Sequence, residues 1–425
     1  MSVANLDAAE KPVYFPVLSL KNFLEYGWLT ILIGALAMTA TYPSRTHGLG
    51  MITEPLLTDL NLSDSAGRNL YSEFNLWGTL IGALFCIPIG WLFDRFDRRL
   101  VLAANLVLLG AATCWMSTIH SQTELLIAII VTRGLGQAAL SVVSITIVAK
   151  GFHVRQLGLA MAWYAILSTP FHVLLIQNVS AARAIGQDWR NIWFNIGLVL
   201  GSLSILSIFL SSRVLTDPET QKDISGEGAT LKQALRSPAF WVISLTISLW
   251  GMISGGIALY NEDILKELGF DTKIYTDSLQ VVTVVGLAFK LLFGYWSRRH
   301  SLGSLLGLSL LITAAALVCL PFATKAWHVY AYSVLMGIGG GAVALLFFAA
   351  WGKLYGHREL GKIQGVAQML TVLLAAFGPL VFSKVKELTA SYSLAFQFFG
   401  GVFLVMAIIS WLTPMPKAED YHSKS

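Results

Sequence analysis

Among the ionisable residues inside apolar stretches, where a chain has little reason to keep them, five stand out. Arg45 and His47 fall within Thr41-Tyr42-Pro43-Ser44-Arg45-Thr46-His47-Gly48-Leu49-Gly50, Glu73 within the second such stretch, Arg133 within the fourth and Lys290 within the eighth. A charge in hydrocarbon is costly and is retained where it meets a wet interior, a partner or a solute. The Arg45 guanidinium can fork onto a planar anion with two parallel hydrogen bonds, whereas Lys290 offers a point charge. Two cations in opposite halves of a chain suit a small anion held between them. Arg133, about 16 Å along its stretch from Gln122, is too deep to snorkel. It reads either as a charge shaping the substrate field or as half of a structural pair with an acid such as Glu73. Glu73 itself reads as a proton carrier or as the counter-ion of Arg45 or Arg133. Lys290 lies about 12 Å from the turn at Arg298, so snorkelling is its alternative role. His47 titrates in a useful range, Tyr42 and Trp77 complete the expected lining, and His172 beside Pro170 ranks below them as a packing residue. No nucleophile–base pair, metal-spaced cluster or phosphate-binding glycine loop stands beside these residues. Neither an enzyme nor a bound cofactor or metal is expected.

Long apolar runs must position these groups. Only 12% of the 425 residues are charged and 55% are hydrophobic, against roughly 25% charged in a soluble domain. Twelve segments of about 20 residues or more, the length a helix needs to cross a bilayer core, lie near 27–57, 67–93, 100–119, 122–149, 157–181, 190–212, 239–262, 275–297, 301–321, 326–351, 361–384 and 391–413. The chain therefore reads as an all-α polytopic membrane protein embedded in a lipid bilayer. Its net charge of +5 is spread over short turns instead of forming one patch, which argues against nucleic acid. The expected division is a tail (1–26), a six-helix unit (27–213), a polar linker (214–237) carrying a short surface helix at 231–236, a second six-helix unit (238–413) and a tail (414–425). Cys86, Cys114 and Cys319 lie in apolar runs and read as buried small hydrophobes. The first 25 residues lack the pattern of a cleaved signal. Arg95, Arg98, Arg99, Lys150, Arg155, Arg213, Lys222, Lys232, Arg236, Arg298, Arg299, Lys353, Arg358 and Lys362 gather at one side, which the positive-inside rule makes cytoplasmic. Both termini then lie in the cytoplasm of a multi-pass plasma-membrane protein, or an inner-membrane protein in a bacterium.

One turn carries more information than the others. Gly90-Trp91-Leu92-Phe93-Asp94-Arg95-Phe96-Asp97-Arg98-Arg99 packs five charges into six positions between two apolar runs. Related landmarks recur later: Arg155-Gln156-Leu157-Gly158 against Arg358-Glu359-Leu360-Gly361, and Gly134-Leu135-Gly136 against Gly337-Ile338-Gly339, both at an offset of 203. Gly90 and Gly294 follow at 204. A parallel repeat of six plus six spans accounts for all three, and such halves place a solute site between them near the midplane.

The turn resembles the signature loop between helices 2 and 3 of the major facilitator superfamily, Gly-x-Leu-x-Asp-Arg-x-Gly-Arg-Arg. Gly90, Leu92, Asp94, Arg95, Arg98 and Arg99 match; Asp97 stands where Gly is usual, a residue tolerant of left-handed backbone. Within that superfamily, Tyr355-Gly356-His357-Arg358-Glu359-Leu360-Gly361 and the intramembrane Lys290 four residues before Gly294 resemble the monocarboxylate and oxalate/formate branch. That branch often has an acid where this chain has Gly286. The fifth run has Ser168-Thr169-Pro170-Phe171 in place of the Gly-Pro segment of drug/proton antiporters. The resemblance implies two pseudo-symmetric six-helix bundles and secondary active transport of a small, monocarboxylate-like organic anion by alternating access. It further implies a monomer with that anion and protons as partners. Anion exchange, or export of a neutral or drug-like solute, is the alternative. Gly90, Asp94, Arg95, Arg98 and Arg99 are expected to form a conformational latch with the start of the eleventh helix.

Overall fold

The computed structural model describes residues 28–152, 154–214, 228–297, 299–418 and 420–421. The N-terminal tail expected at 1–26, the middle of the linker and the basic residue Arg298 lie outside the described residues. Among the described residues twelve long helical segments follow one another: α1 (Trp28–Ala40), α2 (Ser65–Ala83 continued by Cys86–Arg95), α3 (Arg98–Met116), α4 (Gln122–Thr132, Arg133–Leu140 and Ser141–Gly151), α5 (Val154–Ala184), α6 (Trp189–Val214), α7 (Pro238–Glu267), α8 (Thr272–Trp296), α9 (Leu302–Cys319), α10 (Ala326–Tyr355), α11 (Leu360–Ala376 continued by Gly378–Thr389) and α12 (Ser393–Leu412). Ten of them are long and apolar enough to cross a bilayer, and the shorter apolar Trp28–Ser44 supplies the first span. In hydrocarbon every backbone N–H and C=O must be satisfied within its own segment, which is why such runs become helices. A short helix, Leu231–Arg236, precedes α7, with Thr230 and Gln233 bonding reciprocally as a capping box.

Local chemistry explains the breaks. α2 is interrupted at Leu84–Phe85, because the ring of Pro88 excludes the carbonyl four residues before it. Gly378-Pro379 divides α11 at Phe377 for the same reason. Pro43 sits at the start of a tight 3₁₀ turn, Tyr42–Ser44, which ends the first span early. The chain then continues in the short helices Thr46–Gly50 and Thr53–Asp59.

Helix packing repeats at a spacing of six spans. The closest partners in the first half are α3 with α6, α1 with α5 and α2 with α4; in the second half they are α9 with α12, α7 with α11 and α8 with α10. The two halves meet at the end of the molecule that bears the Gly90–Arg99 turn, here termed the basic end. There α2 crosses α11 so closely that a Cβ on Gly90 would lie 2.3 Å from the Gly361 carbonyl oxygen, and one on Gly361 would lie 2.6 Å from that of Gly90. α5 crosses α8 at Gly158 and Gly294, and Tyr164 of α5 meets Phe348 of α10 edge-on at 5.3 Å.

All three cysteines are free. The expectation that they are buried holds only for Cys86, which lies on α2 beneath Gly365. Cys114 is half-buried and Cys319 is exposed. Cys86 therefore reports on the crossing of α2 and α11. With Cys114 and Cys319 replaced by Ser, Gly361→Val should raise the maleimide labelling rate of Cys86 several-fold, since the added methyls cannot be accommodated against α2 backbone. Equal labelling of the Gly361→Val and parent proteins would show that this crossing does not close the basic end.

Candidate functional site

The 3₁₀ turn that ends α1 sets the position of Arg45. Arg45 has extended backbone (φ −88°, ψ 151°), so its side chain folds back along α1. Nε donates to Thr41 Oγ1 (3.0 Å), and Nη2 donates to Ser141 Oγ of α4 (2.9 Å) and to Met38 Sδ (3.3 Å). Small residues allow this approach: a Cβ on Gly136 would lie 2.3 Å from Ser44 Oγ. α4 is locally widened there, since Arg133–Leu140 winds as a π-helix. Such segments recur at functional sites.

Arg133 opens the π segment and is buried at 3% exposure. Its Nη2 donates to Asn75 Oδ1 of α2 (2.6 Å) and its Nη1 to Gln137 Oε1 (2.8 Å), while both nitrogens reach Thr46 Oγ1 at 3.4–3.5 Å. Nε is enclosed without a hydrogen-bond partner. Arg45 and Arg133 are close enough to interact electrostatically, and Tyr164 and His172 also act on Arg45 or feel its charge. Among the described residues no carboxylate bonds to either guanidinium. Glu73 is exposed, so the acid pairing considered for Arg133 is replaced by neutral oxygens. Trp77 is 55% exposed, on a stripe with Ile81, Leu84 and Trp91, and does not join this buried group. Tyr42 is buried among Leu49, Leu56 and their neighbours. The His47 side chain lies outside the described residues.

Lys290 is half-buried on α8. It stands one turn before Gly294, which meets α5, and its backbone lies beside Gly341 of α10. No acid or acceptor among the described residues reaches its ammonium. The structure does not bring Lys290 into contact with Arg45. His172 has the contacts of a hydrogen-bonded packing residue: Nδ1 lies 2.9 Å from the Ser168 carbonyl one turn back and 3.4 Å from Thr39 Oγ1 of α1. A lateral groove of about 530 Å³ between α1, α5 and α6, lined by residues such as Leu36, Pro43, Phe171 and Val179, has no charged residue in its wall.

At the basic end Asp94 closes off the N-terminus of α11. Its Oδ1 accepts from the Gly361 N–H (2.9 Å) and from Lys150 Nζ (2.5 Å), and its Oδ2 accepts from the Lys362 N–H (2.8 Å). A carboxylate is favoured there by the orphan N–H groups and the helix dipole. Arg98 lies within the field of Asp94, and Arg95 packs 5.2 Å from the Trp91 ring centre. Asp97 needs no left-handed backbone, contrary to expectation: with φ −57° it caps α3, Oδ1 accepting from the Arg99 N–H at 2.8 Å.

The sequence profile of the Major Facilitator Superfamily matches residues 28–288 and 264–425. The chain belongs to that superfamily. It is 22% identical over 386 residues to a nitrite extrusion protein of Bacillus subtilis, covering 88% of this chain and 94% of the relative. It is 25% identical over 356 residues to a probable nitrate transporter, NarT, of Staphylococcus epidermidis, covering 78% and 84%. The proton:xylose symporter XylE in complex with 6-bromo-6-deoxy-D-glucose shares the fold at a TM-score of 0.66, with 16% identity over 93% of this chain and 97% of that one. The protein is thus a multi-pass membrane transporter and not an enzyme.

Sequence reasoning missed the neutral partners of the two arginines in this transporter: Asn75, Gln137, Thr46 and Ser141. Three of them sit one or two turns from an intramembrane arginine or in the same broken span, which is the signal that could have flagged them. A further contact joins the linker to α11. Glu359 Oε2 accepts from the Leu231 N–H (2.6 Å) and Oε1 from Lys362 Nζ (2.5 Å). Burial alone would push the Glu359 carboxyl up, but the bonds from Lys362 and Leu231 outweigh it and hold the group below its ordinary value. A depressed carboxylate stabilises above its unfolded pKa of about 4.3 and loses that contribution as pH falls through the folded value. Hydrogen-exchange protection at the Leu231 amide should therefore be constant from pH 7 to about 5 and fall below about 4.3. In Glu359→Gln it should be lower at pH 7; protection equal to the parent would refute the tie.

Proposed function

We propose that this transporter exchanges small, planar, monovalent oxyanions, with nitrate and nitrite first and monocarboxylates of similar shape as the related class. The observation that carries this reading is the pair Arg45 and Arg133: two guanidiniums within each other's field, held by hydroxyl, amide and thioether groups and by no carboxylate among the described residues. Like charges in a low-dielectric interior repel, and an anion relieves that cost. The names of the two relatives, which cover more than three quarters of the chain, agree with an anion of this kind. Lys290 supplies the charge on the opposite half.

Exchange is favoured over proton symport by the same arrangement. Among the described residues no carboxylate touches the half-buried Arg45 or the buried Arg133, so histidines are the proton carriers left to the site. Crossing the membrane with two uncompensated cations is unfavourable, so the loaded protein reorients more readily than the unloaded one in both directions. Asp94, holding the start of α11 with Lys150, would latch the basic end between those steps. The positive-inside rule places that end in the cytoplasm. The small-residue crossings of α2 with α11 and of α5 with α8 suit bundles that rock against each other.

The test is counterflow in proteoliposomes. Vesicles loaded with unlabelled nitrite should take up labelled nitrate, with formate competing and xylose inert, and a proton gradient alone should drive little uptake. Accumulation driven only by that gradient would replace exchange with symport, and uptake of xylose but of none of the anions would end the anion reading. Arg45→Met should abolish counterflow, while Arg45→Lys, which keeps the charge and loses the fork, should raise KM about tenfold. Lys290→Ala should also abolish it; unchanged counterflow in that variant would remove Lys290 from the site.

A further inference from the structure

The second half of the transporter places two buried amides at the interface. Gln364 and Gln368 lie one turn apart on α11 at 1% and 6% exposure, and Gln364 Nε2 and Gln368 Oε1 are enclosed without any hydrogen-bond partner. Side chains four apart on a helix stand as neighbours, so both can reach one small ligand. Their direction follows from the residues around them. Gly361 and Gly365 face α2, while Thr371 and Ala375 face α7, where they approach Gly251 and Gly255. At 3.6 residues per turn, Gln364 falls on the α7 stripe and Gln368 between the two, where α7 of its own half and α2 of the other flank it. α11 packs against α4 as well as against α2 and α7. Met369, next to Gln368, joins the cluster of Cys86, Ala138 and Val142. Ala138 and Val142 flank Ser141, the residue that holds Arg45.

We propose that Gln364 and Gln368 bind the transported oxyanion from the C-terminal half, donating amide N–H bonds to oxygens whose charge the arginines of the other half balance. This rests on the anion reading above and assigns the division of labour within it. Buried polar groups are almost always satisfied, and an amide that is left open at a domain interface is one that a solute can complete. Neutral donors from one half and cations from the other also give the solute bonds that span the two halves. An amide rotated about its last torsion presents NH₂ or C=O to the same point. The pair therefore accepts an oxyanion, and it tolerates one that carries a hydroxyl or a proton.

The experiment uses the full chain in detergent and in proteoliposomes, with nitrite as the probe. The double variant Gln364→Met/Gln368→Met keeps the side-chain length and removes the open polar atoms, so its unliganded melting temperature should equal or exceed that of the parent. Its nitrite affinity, read as ligand-induced thermal stabilisation and as the KM of counterflow, should weaken roughly tenfold or more. Gln364→Glu should abolish nitrite binding by setting a carboxylate against the anion. Nitrite affinity within about twofold of the parent in the double variant would overturn the proposal while leaving the anion reading standing. A lowered unliganded melting temperature in both the double variant and Gln364→Glu, with parent-like nitrite KM in whatever protein remains folded, would assign the amides to the fold and overturn it too. Failure of the parent protein to bind or exchange nitrite, nitrate or formate would instead remove the anion reading, and this inference with it.

Discussion

Two positive side chains enclosed by neutral oxygens constrain everything else in this molecule. Arg133 is 3% exposed and Arg45 interacts with it across the turn that ends α1, and desolvating a guanidinium is costly unless its hydrogen bonds are replaced. The fold replaces most of them with Asn75, Gln137, Thr46, Thr41 and Ser141. It does so by bending the chain: α1 is cut short by Pro43, α4 widens into a π-helix at Arg133, and Gly136 lets the two segments touch. The bonds satisfy geometry but leave the charge unbalanced. That residual charge is what makes a mobile counter-ion the natural complement of the site.

One helix links this charge to the closure of the basic end. α4 carries Arg133 near its middle, then Ser141, and ends with Lys150 on Asp94. Asp94 in turn bonds the N–H groups of Gly361 and Lys362, the second and third of α11. α11 then runs from Gly361 past Gly365 along α2, so packed helices connect the arginines of the first half to the second half at the basic end. Ser144 adds a cross-tie, bonding the Gly34 carbonyl of α1 and the hydroxyl of Tyr164 on α5. Tyr164 then meets Phe348 of α10. Charge at the centre and contact at the basic end thus share the same rods.

The linker belongs to the same end. Ala229 donates its N–H to the Tyr355 carbonyl at 2.8 Å, Leu231 donates to Glu359, and Tyr355 stands between Phe240 and Tyr421. Glu359 also bonds Lys362, whose own N–H is capped by Asp94. The segment that joins the two halves is therefore fastened to the turn that closes them.

The run lengths, the basic turns and the repeat at offsets of 203 and 204 were enough to identify twelve helices in two similar halves, because hydrocarbon leaves a backbone no other way to satisfy itself and because such a pattern is local. The matching of Gly90, Asp94, Arg95, Arg98 and Arg99 to a family loop was legible for the same reason. Partners were not legible. That Arg133 bonds Asn75 instead of an acid, that Glu73 and Trp77 are exposed, and that Gln364 and Gln368 are buried with unpaired polar atoms all depend on which helix face meets which. The phase of one helix against another is set by packing across tens or hundreds of residues, and neighbouring residues in the chain carry no record of it. Sequence alone determined that this protein keeps cations within a membrane; only the tertiary structure decided what surrounds them, and surroundings are what turn a buried charge into a site.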